Sequence, residues 1–516
     1  MWNFLKINSN KVIIITFLLI SIILGYFVAQ LQLNLDDNVF IFPAVLKSFF
    51  SHFVQYNYDN GLFRPISLIF FYLIYSLYAI SPQIAHLLPF VFHLISGFLL
   101  IKLLKKQGIN PYLSLATGLF FLLHPFATEQ YMFLAAGNAV FVNAFFIIQL
   151  LIINYLLPEK KTTLIVLFFS LLSIFMYESA FFFFIPLSYL LTEKFTKLHS
   201  NKKKVISNVI FGAVLFIPNV LYLLSKIIFP SHVPTPRLII NNFGDFLNNI
   251  HLMSDNIIDL YFKSNAISNF WLSNIQNGIN IVSKNYFIIA LLALFIIFLF
   301  KFIFKTNKPT GQKISNSVLV FWWLTFITSL LPLLILKEFN FPFRALFLPS
   351  GVFFIAIFVS INKFINKELI LRIISVLILF TTVSFLLINI SIATKYKKQS
   401  EEDLNLSKKI KMLLSENNFN DQKPAYIIID NFSRSTAYEN FIHADHILSC
   451  YHYWWCGQAA LNMITGMVKA IGIQFKDNLF SSKMELPINA FLKQRPLVII
   501  EYLNNGNLEV KRVLTN

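Results

Sequence analysis

The chain has 516 residues, 57% of them hydrophobic and only 13% charged. A soluble domain carries about 25% charged residues, and several apolar runs here reach the ~20 residues that cross a bilayer. A soluble globular fold is therefore excluded, and a mainly α, polytopic helical membrane protein is expected. The formal charge of +18 does not indicate nucleic acid, because the lysines fall in short clusters between apolar spans, the pattern of cytoplasmic loops.

Met1 to Lys11 leads into an apolar run from Val12 to about Leu31 without a small-residue cleavage site. A retained first helix is expected rather than a removed signal peptide. Asp36 and Asp37 follow within a few residues. Two adjacent carboxylates at a membrane surface repel each other in a falling dielectric, which suits a general base at the bilayer edge. A solvated helix stop is the plain alternative. Ten further spans are expected near 84–104, 111–126, 133–157, 162–176, 179–192, 205–229, 285–304, 315–336, 343–361 and 369–393, about eleven in all.

The apolar stretch 65–80, opened by Arg64-Pro65, sets the topology of everything after it. If it lies on the surface and the N-terminus is cytoplasmic, nineteen Lys and Arg collect on the cytoplasmic side and seven on the other. If it crosses, that bias reverses. The positive-inside rule thus makes 65–80 a juxtamembrane helix within an outer loop 32–83, with Pro65 suited to its first turn. The expected protein is multi-pass, in the cell (inner) membrane. Its extracytoplasmic, periplasmic side holds Asp36, Asp37, Arg64, His86, His124 to Gln130, Glu178 and Arg344.

Two larger segments fall on the same side. The outer loop 230–284 opens with Pro230, Pro234 and Pro236 and is Asn-rich, long enough to form a lid. After a membrane domain over 1–393, residues 394–516 read as a small α/β extracytoplasmic domain. It has a helix over 400–416 and strands at Ala425–Ile429, Leu497–Tyr502 and Leu508–Leu514. Cys450 and Cys456 give no metal-ligand spacing, and in that compartment both a disulfide and free thiols stay open.

Several polar residues stand out against the apolar background. Pro125 breaks the third span at His124-Pro125-Phe126-Ala127-Thr128-Glu129-Gln130. Irregular backbone at membrane depth is tolerated only inside protein or beside a wet cavity. Glu129 is then placed to meet a substrate or a cation, or simply marks a capped stop. Glu178, between two short apolar runs, is a functional candidate by default, or a turn marker. His86 and His93 share one helical face but stand too far apart for one metal ion. They read as core histidines or substrate hydrogen-bonders. Arg64 and Arg344 sit at span boundaries, and the planar guanidinium fork suits a phosphate near the surface. Interfacial anchoring is the alternative.

Four segments in order resemble the membrane glycosyltransferases of the GT-C fold that use polyprenyl-phosphate sugars, nearest to the protein O-mannosyltransferase-like (family 39-like) branch. Asp36-Asp37 resembles the family's acidic pair, and Phe63-Arg64-Pro65-Ile66 its Tyr-Arg-Pro-Leu signature, followed by His86 and His93. Phe121 to Glu129 resembles the His-Pro-x-His-Thr-Glu segment and continues through Ala136-Gly137-Asn138. Ala345 to Gly351, preceded by Arg344, resembles Leu-Tyr-Leu-Pro-Ser-x-Gly. Departures are Ala127 for the second histidine, Asn138-Ala139 after Gly137, and Met176-Tyr177-Glu178 where the family has Ser-Lys-Glu.

The resemblance implies an inverting glycosyltransferase that moves a sugar from a polyprenyl-phosphate donor to a glycan, lipid or protein acceptor. Asp36 would be the base, with Asp37 beside it. Arg64 and Arg344 would hold the donor phosphate, and His86, His124, Glu129 and Glu178 would bind substrate or support the site. No cofactor and no metal ligand is expected, with a divalent metal requirement left open. The partners implied are the lipid-linked donor, the acceptor and membrane lipids, with no nucleic acid. An O-antigen-type polymerase or ligase acting through the 230–284 loop, a lipid-linked sugar flippase or transporter, and a catalytically silent relative are the alternatives.

Overall fold

The computed structural model describes residues 9–31, 64–155, 158–196, 201–228, 243–305, 314–335, 343–365 and 367–416, and four strands beyond them. The helices are α1 (Ser9–Val28), α2 (Pro65–Ile80), α3 (Pro82–Lys106), α4 (Pro111–Leu123), α5 (Thr128–Met132), α6 (Asn138–Asn154), α7 (Glu159–Met176) and α8 (Phe184–Phe195). They continue with α9 (Asn201–Ile228), α10 (Phe243–Phe262), α11 (Ser273–Ser283), α12 (Tyr286–Lys305), α13 (Asn316–Ile335), α14 (Phe343–Phe364) and α15 (Glu368–Glu416). Proline opens α2, α3 and α4, where its missing N–H is no loss. The Asn110 side chain caps α4 by accepting from the Tyr112 N–H at 3.2 Å.

The protein is a polytopic helical membrane protein, and a helix stands at every expected span. Among the described residues six helices are long and apolar enough to cross alone: α1, α3, α9, α13, α14 and α15. A seventh arises if 267–283 and 286–300, bent by 114°, count as one span. The other expected spans are shorter. With 13 residues, α4 is about 20 Å long against a hydrocarbon core of about 30 Å. Its run stops where Pro125 breaks the helix.

The helix ends sort into two groups. At one end Trp322 Nε1 donates to Gln107 Oε1 at 2.9 Å, and Asn110 N to Asn362 Oδ1 at 2.8 Å. Arg372 Nη1 donates to the Ile303 carbonyl at 2.9 Å, and Lys106 lies 3.9 Å from the Tyr155 ring centroid. Lys194 donates to the Tyr155 carbonyl and Lys363 to that of Ile314. This is the basic end of the bundle.

Helix α2 runs across the opposite end rather than through the bundle. Near its start Ser67 donates to the Met176 carbonyl at the finish of α7, and Phe70 packs on Phe141 with ring centroids 4.8 Å apart. Helix α3 begins two residues after α2 stops, and its His86 already bonds the Met132 carbonyl. Both α2 and α3 therefore start beside segment 128–141. Ile69, Leu73 and Ile80 on α2 stay exposed, as on a helix lying against lipid.

The 230–284 segment departs from the expected loop. Residues 229–242 lie outside the described part. Beyond them come α10, a single turn Ser264–Ala266, a π-helical turn Ile267–Leu272, and α11. Phe246, Ile250, Met253, Ile257 and Leu260 recur at helical spacing, a stripe masked in the sequence by the prolines and asparagines around it. Helix α11 packs on α15, where a Cβ on Gly278 would come 2.3 Å from the Leu387 carbonyl oxygen.

Helix α15 runs unbroken for 49 residues, about 73 Å, so the boundary expected at 393–394 falls inside one helix. The strands are β1 (Tyr426–Asp430), β2 (Ile473–Phe475), β3 (Leu497–Tyr502) and β4 (Leu508–Leu514), in the order β2-β1-β3-β4. β1 pairs in parallel with β2 and β3, and β3 pairs antiparallel with β4 across a register shift at Ile499/Ile500. β1 lies one residue from its expected position, β3 and β4 coincide with theirs, and the three-residue β2 had not been expected.

Candidate functional site

The break after α4 builds the site. A helix end leaves its last carbonyls without partners, and in a buried apolar setting those groups must be satisfied. His93 Nε2 meets the Leu122 carbonyl at 2.8 Å, and Asn389 Nδ2 on α15 meets Leu123 at 2.7 Å. His86 Nδ1 meets the Met132 carbonyl at 3.0 Å. A carbonyl only accepts, so each of these imidazole nitrogens carries the proton. His86 and His93 are 0% and 1% exposed, which puts both in the core as supports of the broken segment. Tyr131 stacks on His93, with centroids 5.0 Å apart, and donates to Asn389 Oδ1.

His124 is equally buried. Its Nδ1 accepts from the Phe126 N–H at 3.3 Å, which leaves the proton of the neutral ring on Nε2, 3.0 Å from the Tyr261 hydroxyl. That contact ties α10 to the break. Trp271 stacks on Tyr261 at 5.6 Å and donates from Nε1 to the Leu260 carbonyl at 2.7 Å.

Glu129, 0% exposed, caps the start of α14. Its Oε2 accepts from the Arg344 backbone N–H at 2.7 Å, and its Oε1 takes the Arg344 guanidinium. A carboxylate at a helix N-terminus complements both the orphan N–H and the helix dipole. It also offsets a cation at the wrong end of that dipole. Gln130 Nε2 donates to the Arg344 carbonyl at 2.7 Å, and Asn143 Nδ2 on α6 holds Gln130 Oε1 at 2.8 Å.

A second pair stands at the head of α2. Arg64 Nη2 lies 2.6 Å from Glu178 Oε2, and Arg64 Cζ 4.8 Å from the Tyr177 ring centroid. Tyr222 donates to Glu178 Oε1 at 3.1 Å. Glu178 falls in the turn between α7 and α8, outside the spans. Burial alone would raise its pKa, but the Arg64 guanidinium outweighs this and holds the carboxyl below the usual range.

Helix α6 connects the two pairs. Asn138 Nδ2 donates to Ser67 Oγ at 3.2 Å, three residues after Arg64, while Asn143 serves the Glu129 side. The two anchors are five residues apart, about 7.5 Å along one helix. Four sequence-distant segments thus meet at the end opposite the basic one: 64–67, 124–143, 176–178 and 344. Asp36 and Asp37 lie outside the described residues, as do Cys450 and Cys456. The chain reaches Leu31 at the site end, where Lys397 Nζ holds Gln30 Oε1 at 2.9 Å. The neighbouring Tyr396 ring packs edge-on against His86.

Among the described residues no three His, Cys, Asp or Glu gather as a metal site requires. Sequence reasoning missed Tyr131, Asn143, Tyr222, Tyr261 and Asn389. Only Asn389 carried a clear signal, a lone amide inside the apolar run of α15.

No family model matches the chain, and no curated protein matches it. Two solved structures are similar over most of its length, ArnT from Cupriavidus metallidurans in the apo state and the same protein bound to undecaprenyl phosphate. Each is 11% identical, with a TM-score of 0.38, and the match covers 95% of this chain and 93% of that one.

Proposed function

We propose that the protein is an inverting membrane glycosyltransferase of the GT-C type, moving a sugar from a polyprenyl-phosphate donor to an acceptor hydroxyl on the extracytoplasmic side. One observation supports this above others. The segments bearing Arg64, His124 to Gln130, Glu178 and Arg344 converge at the end opposite the basic one. The positive-inside rule makes the basic end cytoplasmic.

Asp36 follows Leu31 by five residues, within about 17 Å of it even fully extended. It takes the proton from the acceptor hydroxyl, whose oxygen attacks the anomeric carbon as the lipid phosphate leaves from the opposite face, inverting that centre. Arg344 and Arg64 neutralise the leaving phosphate, and Glu129 and Glu178 hold the two guanidinium groups in place beforehand, so that little reorganisation is needed at the moment of reaction. The strand-bearing C-terminal segment, on the same side, covers the site or receives the acceptor.

The test is transfer of label into acceptor material in membranes charged with radiolabelled sugar nucleotides, comparing wild type with Asp36→Asn and Asp37→Asn. Loss of a general base costs about 10²–10⁴-fold. A loss of that size in Asp36→Asn, with a smaller one in Asp37→Asn, is expected. Near-normal turnover in Asp36→Asn sinks the assignment.

A further inference from the structure

At the basic end, away from the site, an apolar groove runs between α12 and α15. Ile296, Leu299 and Ile303 form one wall and Val376, Leu379 and Val383 the other. Phe300 and Phe380 meet edge to face at its rim, with centroids 5.9 Å apart. Seven residue steps separate Ile296 from Ile303, about 10 Å of helix, or roughly two thirds of one leaflet of a 30 Å hydrocarbon core. Apolar residues beside the walls, Ile297, Ile373 and Leu377, are more than half exposed, so the groove opens sideways from the bundle.

The end of the groove is marked by charge. Arg372, one turn before Val376, reaches across to the Ile303 carbonyl and joins the two walls there. The end of α12 and the connection after it carry Lys301, Lys305, Lys308 and Lys313 without an acidic residue. The end of α14 and the start of α15 carry Lys363, Lys367 and Arg372 against Glu368, whose carboxylate is paired with Arg372. Lys367 is exposed. Basic pockets between transmembrane helices on the cytoplasmic side attract anionic lipid head groups.

We infer that the groove between α12 and α15 binds one acyl chain of an anionic phospholipid, whose phosphate is drawn to the net-positive corner at Lys367. The chain supplies apolar contact along both walls, and the head group selects the lipid. This binding is independent of the proposed transferase chemistry and stabilises the packing of α12 on α15.

The test is thermal unfolding of the full-length protein in detergent, titrated with phosphatidylglycerol or phosphatidylcholine of the same chains. Phosphatidylglycerol is expected to raise the melting temperature by several degrees, saturably, and phosphatidylcholine by much less. Val376→Trp, which fills the groove, is expected to remove both shifts, and Lys367→Gln to narrow the difference between the lipids. Because Val376→Trp can impair folding, Lys367→Gln, at an exposed position, carries the test by itself if needed. Equal shifts from both lipids in the wild type overturn the proposal, as does an unchanged preference in Lys367→Gln. So does displacement of the phosphatidylglycerol effect by a polyprenyl phosphate, or a change of oligomeric state in Val376→Trp, which would assign the groove to another occupant.

Discussion

Glu129 illustrates what one buried carboxylate can hold together. It accepts from the first turn of α14 and from the Arg344 guanidinium, so it fixes a helix start and a cation with the same two oxygens. Breaking a buried ion pair from one side leaves the other charge without compensation, at about 3–5 kcal/mol. Because Arg344 retains 19% side-chain exposure, Glu129→Gln is expected at the low end, about 3 kcal/mol. Adding Arg344→Gln removes the stranded charge, so the double variant should be less destabilised than the sum of the singles. Chemical denaturation of the four proteins in one detergent measures the coupling. Additive losses would show that the two side chains do not act as a unit.

At the scale of elements, the packing of helices rests on close backbone approach, as is common where small residues face a neighbouring helix in a membrane. Gly278 and Gly25 separate this from helix propensity. A Cβ at Gly278 would meet the Leu387 carbonyl oxygen at 2.3 Å, whereas one at Gly25 would touch only Phe90, at an ordinary 3.6 Å. Alanine is favoured over glycine in a helix by about 1 kcal/mol, and overpacking costs about 1–3 kcal/mol. Gly278→Ala should therefore lower the melting temperature and Gly25→Ala leave it unchanged or raise it. Equal behaviour of the two would remove the close approach of α11 to α15 as the cause. The stripe on α10 has its own partner in α13, where Asn249 Nδ2 donates to the Leu334 carbonyl at 2.9 Å.

At the scale of the whole molecule, the expected orientation turns on α2 lying over one end. Its start and the start of α3 both lie beside segment 128–141, and Lys106, Lys194 and Lys363 lie at the other end. Single cysteines in an otherwise cysteine-free chain check this. Gln83→Cys is expected to react with an impermeant maleimide added outside intact cells, and Lys367→Cys only after the membrane is opened. The reverse pattern would invert the protein and move the proposed site to the cytoplasm.

Much of this architecture is legible without coordinates, because span length, proline at helix starts and the placement of lysines are local or additive properties. The membrane class, the helix at each apolar run and strands β3 and β4 all follow from them. The single residues Arg64, Glu129, Glu178 and Arg344 could be singled out as well, since charge is scarce in an apolar chain. What they touch could not. Arg344 pairs with Glu129 across 215 residues and Arg64 with Glu178 across 114, and no periodicity encodes such partners. His86 and His93 read equally well as substrate contacts until the broken segment supplied the carbonyls they cap. Asn389, Tyr131 and Tyr222 gain meaning only from groups brought to them by other helices. Composition and pattern determined which residues had to be buried or charged. The tertiary structure alone decided their partners, because satisfying a buried polar group depends on what the fold places within about 3 Å of it.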